Sequence, residues 1–342
     1  MIDSRALPKA ELHVHIEGTF EPAQIFQFAQ RNNVQLAYSS VAALEEAYKF
    51  TDLQSFLNLY YAAMAALRTE RDFEELTIAY LQRAKAQGVR HAEIFFDPQA
   101  HLDRGLSFET VVSGLWAALQ RSSSKFGITT ALIMCFLRDQ SEASAMQTLE
   151  LALSHRDKII GVGLDSAELG NPPSKFQAVF DRARAAGFLT VAHAGEEGPP
   201  EYVWEALNLL KVSRIDHGVR CMEDPKLVAH LAQTQVSLTV CPLSNVRLRV
   251  VDRMADHPLK RMMEAGLRCT VNSDDPAYFG GYVGDNFSAV QSGLQLTDDD
   301  LVQLARNSFT SSFIDEAAKR EYLAQIEGFA AMNTVMKFGL SR

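Results

Sequence analysis

Short apolar segments alternate with longer amphipathic segments along the whole chain. Most of the short segments are apolar nearly throughout, which favours strands buried on both faces, as in a parallel sheet. We predict eight strands, at Ala10–His15, Val89–Asp97, Thr129–Phe136, Ile159–Asp165, Leu189–His193, Arg214–His217, Val236–Cys241 and Arg268–Ser273.

The segments between the strands carry the end signals of helices. Pro22 stands where a first helical residue is expected, and Thr297 followed by Asp300 resembles a capping box. Residues 70–87 are acidic at the start, basic towards the end, and followed by Gly88. Repeated strand–helix units imply right-handed crossovers, and eight of them indicate a (β/α)8 TIM barrel in the α/β class.

We expect one barrel domain over residues 1–342. The segment of about 22–87 is too long for one crossover helix and predicts extra helices inserted between strands 1 and 2, and about 297–342 predicts C-terminal helices outside the barrel. An open doubly wound sheet is the alternative. A nucleotide-binding version would need G-x-G-x-x-G after a strand, but Gly161 and Gly163 lie inside the fourth strand and Gly170 follows too late.

Composition and charge narrow the classes of partner. The 33 basic against 42 acidic residues give a net charge of −9, which argues against a nucleic-acid partner. There is no apolar run long enough for a membrane span and no signal-peptide pattern, so we expect a cytoplasmic protein. The four cysteines form no C-x-x-C pair, which favours reduced, buried thiols.

Histidines concentrate at strand ends, where a barrel builds its active site. His13 and His15 share one face of the first strand because strand side chains alternate. His193 ends the fifth strand, and Asp274 follows the eighth. Three imidazoles and a carboxylate suit one Zn²⁺ ion, with a water in the open position.

Further polar residues flank this predicted site. Glu196 follows the third histidine closely enough for proton transfer to a substrate, and His217 would face the water without binding the metal. Asp275 points away from its neighbour Asp274, towards substrate or water. Structural alternatives remain at each position: a solvated loop for Glu196, a bond to Asp216 for His217, and a helix cap for the Asp doublet.

Two other metal chemistries do not fit the chain. His91-Ala-Glu93 matches the H-x-E half of the flipped-base zinc deaminases, but the required C-x-x-C is missing, so we interpret His91 as structural. The fourth strand has no lysine to bridge two metals, which favours one metal. We predict that His257, in a loop or helix pattern, lies at the surface, like His155 and His230.

The segments PKAELHVHIEG, VAHAGEE, RIDHGVRC, LTVCPLSN and TVNSDDPAYF resemble the adenosine/adenine deaminase family of metal-dependent hydrolases, from about residue 8 to 330. The resemblance implies deamination at C6 of a purine. It implies zinc ligands at His13, His15, His193 and Asp274. It also implies a proton donor at Glu196, a hydroxide-orienting role for His217 and a substrate contact at Asp275.

One position separates the branches of this family. The adenosine branch usually has H-x-H-L-D-G, whereas this chain has Glu17 at the Asp position; with FFDPQ, GEEGPPEY and SDDPAYFGGY, it is similar to the adenine branch. We therefore expect adenine deamination in purine salvage, with Glu17 as a substrate-binding residue filling the ribose space. Open alternatives are a deaminase of adenosine or N6-modified adenines or nucleosides, a non-catalytic purine-binding barrel, and a barrel hydrolase of amides or phosphoesters.

Overall fold

Eight parallel strands follow one another around a barrel in the computed structural model, which describes residues 2–339. They are β1 (Lys9–His15), β2 (Val89–Phe96), β3 (Thr129–Leu137), β4 (Ile159–Asp165), β5 (Leu189–Ala194), β6 (Arg214–His217), β7 (Ser237–Val240) and β8 (Cys269–Val271). A parallel bridge between Val14 and Asp274 brings the last strand to the first. The predicted TIM barrel is confirmed, with strand bounds close to those expected.

Helices surround the barrel and extend it at two places. They are α1 (Pro22–Arg31), α2 (Val41–Glu46), α3 (Leu53–Ala63), α4 (Glu70–Ala86), α5 (Pro98–Leu102), α6 (Phe108–Leu119), α7 (Ser122–Phe126), α8 (Glu142–Ala152), α9 (Gln177–Ala185), α10 (Pro200–Glu205), α11 (Pro225–Thr234), α12 (Pro242–Arg247), α13 (Leu259–Glu264), α14 (Pro276–Phe279), α15 (Val283–Leu294), α16 (Asp298–Thr310) and α17 (Glu316–Gly339). Helices α1 to α4 fill the connection between β1 and β2, and α16 and α17 follow the barrel, as predicted for this fold class.

The helix ends follow the signals in the sequence. Thr69 and Asp72 form a capping box at the start of α4, and Thr297 and Asp300 form another at the start of α16. Gly88, which ends the α4 segment, has a φ of 79°, a left-handed conformation that glycine adopts without a Cβ clash. Local capping therefore fixes where these helices begin and turn back to the barrel.

The strands separate two apolar regions. Ala10, Leu12 and Val14 of β1 belong to the large core shared with the helices. A small second cluster, formed by Phe95, Ile133, Cys135 and Val191 from the three strands β2, β3 and β5, fills the centre of the barrel. The ring of Phe95 lies 5.1 Å from the rings of both His13 and His15, so this second cluster packs directly against the predicted site.

Within residues 2–339, no helix combines the length and the apolar character needed to cross a bilayer. All four cysteines fall in this range, and each is buried with a free thiol.

Candidate active site

The imidazoles at the strand ends converge on one point. The ring of His13 lies 5.4 Å from that of His15, 4.6 Å from that of His193 and 4.7 Å from that of His217. All four side chains are almost fully buried. The pattern of histidines in the sequence therefore does bring one cluster together at the carboxyl ends of β1, β5 and β6.

Asp274 completes the cluster from the loop after β8. Its Oδ1 lies 3.2 Å from His13 Nε2 and 3.5 Å from His15 Nε2. The Nε2 atoms of His15 and His193 are 3.2 Å apart. Asp274 has a φ of 63°, a rare conformation for a residue with a side chain, and its backbone bonds to β1 hold it there. The four predicted metal ligands thus face one another.

The far ring nitrogens have partners that fix the orientation of the rings. His13 Nδ1 is 2.9 Å from Thr239 Oγ1, which itself donates to Asp216 Oδ1 at 2.8 Å. Asp216 Oδ2 lies 3.6 Å from His193 Nδ1, and Asp165 Oδ2 lies 3.5 Å from His15 Nδ1. Carboxylates behind ligating histidines orient the rings and raise their basicity.

The donor set fits a divalent cation. Burial lowers the pKa of His15 to about 3, and burial with the neighbouring histidines lowers the pKa of His193 well below its usual value, so both rings are neutral at pH 7. Among the described residues, buried His13 Nε2 has no hydrogen-bond partner. Lone pairs on neutral ring nitrogens repel one another and repel a nearby carboxylate. A cation bound between these groups removes that repulsion.

Glu196 and His217 stand beside the ligand cluster. His217 Nε2 lies 3.5 Å from Glu196 Oε2 and 3.8 Å from Asp274 Oδ2. Burial first, and then the negative charge of Asp274, raise the pKa of Glu196 well above its usual range. A raised pKa favours the protonated carboxyl group that a proton donor needs. Burial and Asp274 raise the pKa of Asp275 in the same way.

A cavity of about 360 Å³, including its mouth, opens over these groups. It is lined by His15, Leu53, Phe56, Leu57, Tyr60, Tyr61, Asp97, Asp165, Ser166, His193, Glu196, His217, Leu248, Asp274, Asp275 and Phe279. The apolar and aromatic wall comes mainly from α3, the inserted helix between β1 and β2. One polar end and one apolar wall suit a flat, heteroatom-rich ring.

Glu17 does not occupy the predicted position. It is buried at a short 3₁₀ turn, Glu17–Thr19, and is not among the described residues that line the cavity. Its Oε1 accepts from His101 Nε2 at 2.8 Å and from the backbone N–H of Asp97 at 3.2 Å. The turn directs this carboxylate behind the cavity wall. Glu17 therefore does not reach into the cavity, where it was expected to fill the ribose space.

His257 also corrects a prediction. It is 3% exposed, and its Nε2 lies 3.1 Å from Asn245 Oδ1, while its Nδ1 accepts from the N–H of Leu259. The ring links α12 to the start of α13, a role that hydrophobic periodicity does not reveal. His91 is a structural residue as expected, with contacts to Thr129 and Glu93.

Several groups at the site were not predicted from the sequence. Asp97 directly follows β2 and Asp165 ends β4, and both carboxylates line the cavity. The rule that identified the histidines, a polar side chain at the carboxyl end of a barrel strand, applies equally to these two residues. Tyr60, whose hydroxyl donates to Asp97 Oδ2 at 3.3 Å, comes from α3 and had no such signal.

Comparisons with known proteins agree on one family for this chain. A family model described as adenosine deaminase matches residues 8–328. A curated adenine deaminase of Streptomyces coelicolor is 63% identical over 325 residues, covering 94% of this chain and 96% of that protein.

Two solved structures add to these relatives. The crystal structure of adenine deaminase from Arthrobacter aurescens has a TM-score of 0.94 and 55% sequence identity, covering 95% of this chain and 100% of that chain. An amidohydrolase from Burkholderia ambifaria, solved with bound Zn, has a TM-score of 0.88 and 28% identity, covering 96% of this chain and 93% of that chain.

Proposed function

Because this chain belongs to the adenosine deaminase family, we propose that it catalyses the hydrolytic deamination of adenine to hypoxanthine and ammonia. The family resemblance predicted from the motifs is confirmed. The observation that carries the function is the convergence of His13, His15, His193 and Asp274 beside the buried carboxyl group of Glu196, in a chain 63% identical to an adenine deaminase.

The metal site is assigned to His13, His15, His193 and Asp274, with zinc as the proposed ion and one ion per chain. Three imidazole nitrogens and one carboxylate oxygen form a donor set that zinc accepts, and the Burkholderia relative was solved with bound Zn. When bound, zinc supplies the Lewis acidity that makes water a competent nucleophile near neutral pH.

Glu196 is the proposed general acid. Burial raises its pKa and so favours the protonated carboxyl group, and its place in the cavity lets it give a proton to N1 of the purine as water adds at C6. Protonation at N1 spares the ring a full negative charge while the tetrahedral centre forms. Water and adenine thus give hypoxanthine and ammonia, with no other reactant required.

His217 and Asp275 are the residues that we assign to orienting the attacking water and the purine. His217 Nε2 faces both Glu196 and Asp274, so it is placed to orient the attacking water without being a ligand in this assignment. Asp275 lines the cavity with a buried carboxyl group whose Oδ1 has no partner among the described residues. We assign it to a ring nitrogen of the purine, at N7 or beside it.

The alternatives are less well supported. Relatives named adenine deaminase, at 55–63% identity, do not favour adenosine or N6-modified substrates. A purely purine-binding barrel would need no carboxyl group able to donate a proton beside its metal-binding residues. Purine salvage in the cytoplasm remains our proposal for the physiological setting, supported by the reaction itself and by the free, buried thiols.

Ammonia release from a purine panel tests this function. The panel contains adenine, adenosine, N6-methyladenine and a nucleotide, with the metal content measured in the same sample. We expect adenine to give the highest kcat/KM and about one zinc per chain. Adenosine turnover equal to or faster than adenine turnover would overturn the substrate assignment, and absence of ammonia from every purine would overturn the deaminase assignment.

A further inference from the structure

Glu168 is a buried carboxylate that the proposed reaction leaves unassigned. It follows β4 and is 1% exposed. Its two oxygens accept four consecutive backbone N–H groups, those of residues 195–198. The distances are 2.7 Å from Gly195, 3.1 Å from Glu196, 2.8 Å from Glu197 and 2.7 Å from Gly198.

These four N–H groups belong to the loop that carries the general acid. Gly195 directly follows β5 with a φ of 71°, and the turn it makes points successive N–H groups at one place. Such a concave arrangement of backbone N–H groups is an anion-binding nest. Here the chain supplies the anion itself, from the neighbouring strand end.

We propose that Glu168 is a positioning residue that holds the 195–198 loop so that the Glu196 carboxyl group meets the purine. The proposal rests on the proposed function, because it assigns Glu168 to the general acid of that reaction. Hydrogen bonds to a charged acceptor are about twice as strong as neutral ones, so four of them onto one side chain make a stiff support.

Other contacts fix the opposite face of the loop. The N–H of Arg220 donates to Gly195 O at 2.9 Å, and its guanidinium donates to Glu197 O. Among the described residues, the side chain that receives the loop's N–H groups is Glu168. Loss of its charge therefore frees one face of the loop while the carbonyl face stays held.

The loop also meets the cavity wall. Glu197 Oε1 accepts from the N–H of Leu53, the first residue of α3, at 3.2 Å. A loop that shifts at Glu196 therefore also shifts its contact with the helix that covers the cavity. Among the described residues that line the cavity Glu168 is not included, so it does not act on the substrate by direct contact.

The test compares Glu168→Gln with the wild-type enzyme, both with measured zinc content. Glutamine has nearly the same shape, but its NH₂ group would face N–H donors and its lone oxygen carries no charge. We expect kcat to fall about 10- to 100-fold per zinc-loaded enzyme, with KM for adenine changed less than about threefold, since misplacement by about 1 Å costs up to 10²-fold. Amide exchange at 195–198 should accelerate.

A double-mutant cycle separates positioning from general structural support. In a Glu196→Gln background, the further change Glu168→Gln should slow kcat less than about threefold, because the group it positions is already disabled. A purely structural residue would instead lower kcat or stability by the same factor in both backgrounds. The matched control is Glu142→Gln, which removes one carboxylate bond to the N–H of Val179 far from the cavity and should leave kcat unchanged.

A second route reaches the same contact from the loop side. A Cβ at Gly198 would lie 2.5 Å from Glu168 Oε1, so Gly198→Ala should displace the carboxylate and reproduce the loss in kcat, even if Glu168→Gln does not fold. Suppose that the wild-type enzyme turns over adenine and that kcat is undiminished in folded Glu168→Gln or in Gly198→Ala. This result would overturn the positioning proposal and leave the proposed function intact. Absence of wild-type turnover would instead overturn the proposed function.

Discussion

The two ends of the barrel interior both bury charge, but they use it differently. At the amino-terminal end, Glu93 accepts from the guanidinium of Arg214, from the N–H of Phe313 and from His91. Arg214 also donates to Leu12 O at 3.0 Å. At the carboxyl-terminal end, buried atoms of Glu196 and Asp275 are without hydrogen-bond partners within residues 2–339.

This contrast indicates which polar groups serve stability and which serve a ligand. An unsatisfied buried polar atom costs folding free energy, so a chain keeps such atoms where a bound group will satisfy them. At the amino-terminal, paired end the carboxylate of Glu93 is satisfied within the chain, whereas the carboxyl-terminal, open end needs a cation and a substrate. Mutations at the two ends should therefore separate stability from activity.

The largest effect is expected at the open end from Asp274→Ala. Removal of this carboxylate takes one donor from the proposed metal site, so bound zinc and adenine turnover should be lost together. Elemental analysis and ammonia release on the same sample measure both quantities. Metal retained at the wild-type level in Asp274→Ala would contradict the ligand assignment, and two tightly held ions in the wild type would contradict the single site.

Glu196→Gln should separate chemistry from metal binding at the same end. The amide keeps the size of the side chain but carries no acidic proton, so kcat should fall at least about 10²-fold, the usual size of an acid–base contribution. Zinc content and melting temperature should stay at the wild-type values. A loss smaller than about tenfold, with zinc retained, would make Glu196 a bystander.

Glu93→Gln is the matched change at the paired end. It removes the closer of the two carboxylate partners of buried Arg214, the other being Asp216 at 3.7 Å, so we expect a loss of about 3–5 kcal/mol in the free energy of unfolding and little change in kcat of the folded enzyme. Urea denaturation and turnover at a temperature well below the transition measure the two quantities. A variant with wild-type stability but impaired kcat would break the comparison.

The same pair predicts a pH dependence. Burial alone would raise the pKa of Glu93, but the charge of Arg214 and the contact with His91 lower it to about 2. Since a carboxyl in the unfolded chain titrates near 4.3, the stabilisation is present above that pH and is lost as pH falls towards 2. Unfolding midpoints between pH 6 and pH 3 should fall more in the wild type than in Glu93→Gln.

The barrel, and the convergence of the residues proposed as metal ligands, could be predicted from the sequence because both depend on short-range patterns. Buried strands are continuous apolar runs, and their carboxyl ends meet at one rim, so His13 and His193 could be brought together without coordinates. Glu168 could not be placed in this way, because its partners are backbone N–H groups in a loop 27 residues or more away along the chain.

For Glu17, the sequence predicted a side-chain direction that the structure does not show. Its position beside His15 suggested a side chain aimed into the cavity, but the 3₁₀ turn after β1 rotates it towards His101. A turn of this kind depends on tertiary contacts, here with Asp97 at the end of β2. Alternation along a strand predicts direction only while the strand continues.

The smallest effect is therefore expected from Glu17→Asp. The shorter side chain should weaken the bond to buried His101 and cost about 1–2 kcal/mol in the free energy of unfolding. Asp97 keeps its contact with the Tyr60 hydroxyl, so the cavity wall should move little. The ratio of kcat/KM for adenine to that for adenosine should change less than about tenfold, or under about 1.4 kcal/mol.

Leu57→Ala is the matched comparison for that ratio, because Leu57 lines the cavity from α3 and Glu17 does not. Removal of this side chain opens space directly at the wall, so adenosine turnover should rise more in Leu57→Ala than in Glu17→Asp. If Glu17→Asp alone brought adenosine close to adenine while Leu57→Ala did not, the carboxylate would set the choice of substrate from behind the wall. The contrast between hydrogen-bonded groups that serve stability and unbonded groups that serve substrate binding would then fail at this position. A residue whose hydrogen bonds are made within the chain would determine the choice between adenine and adenosine.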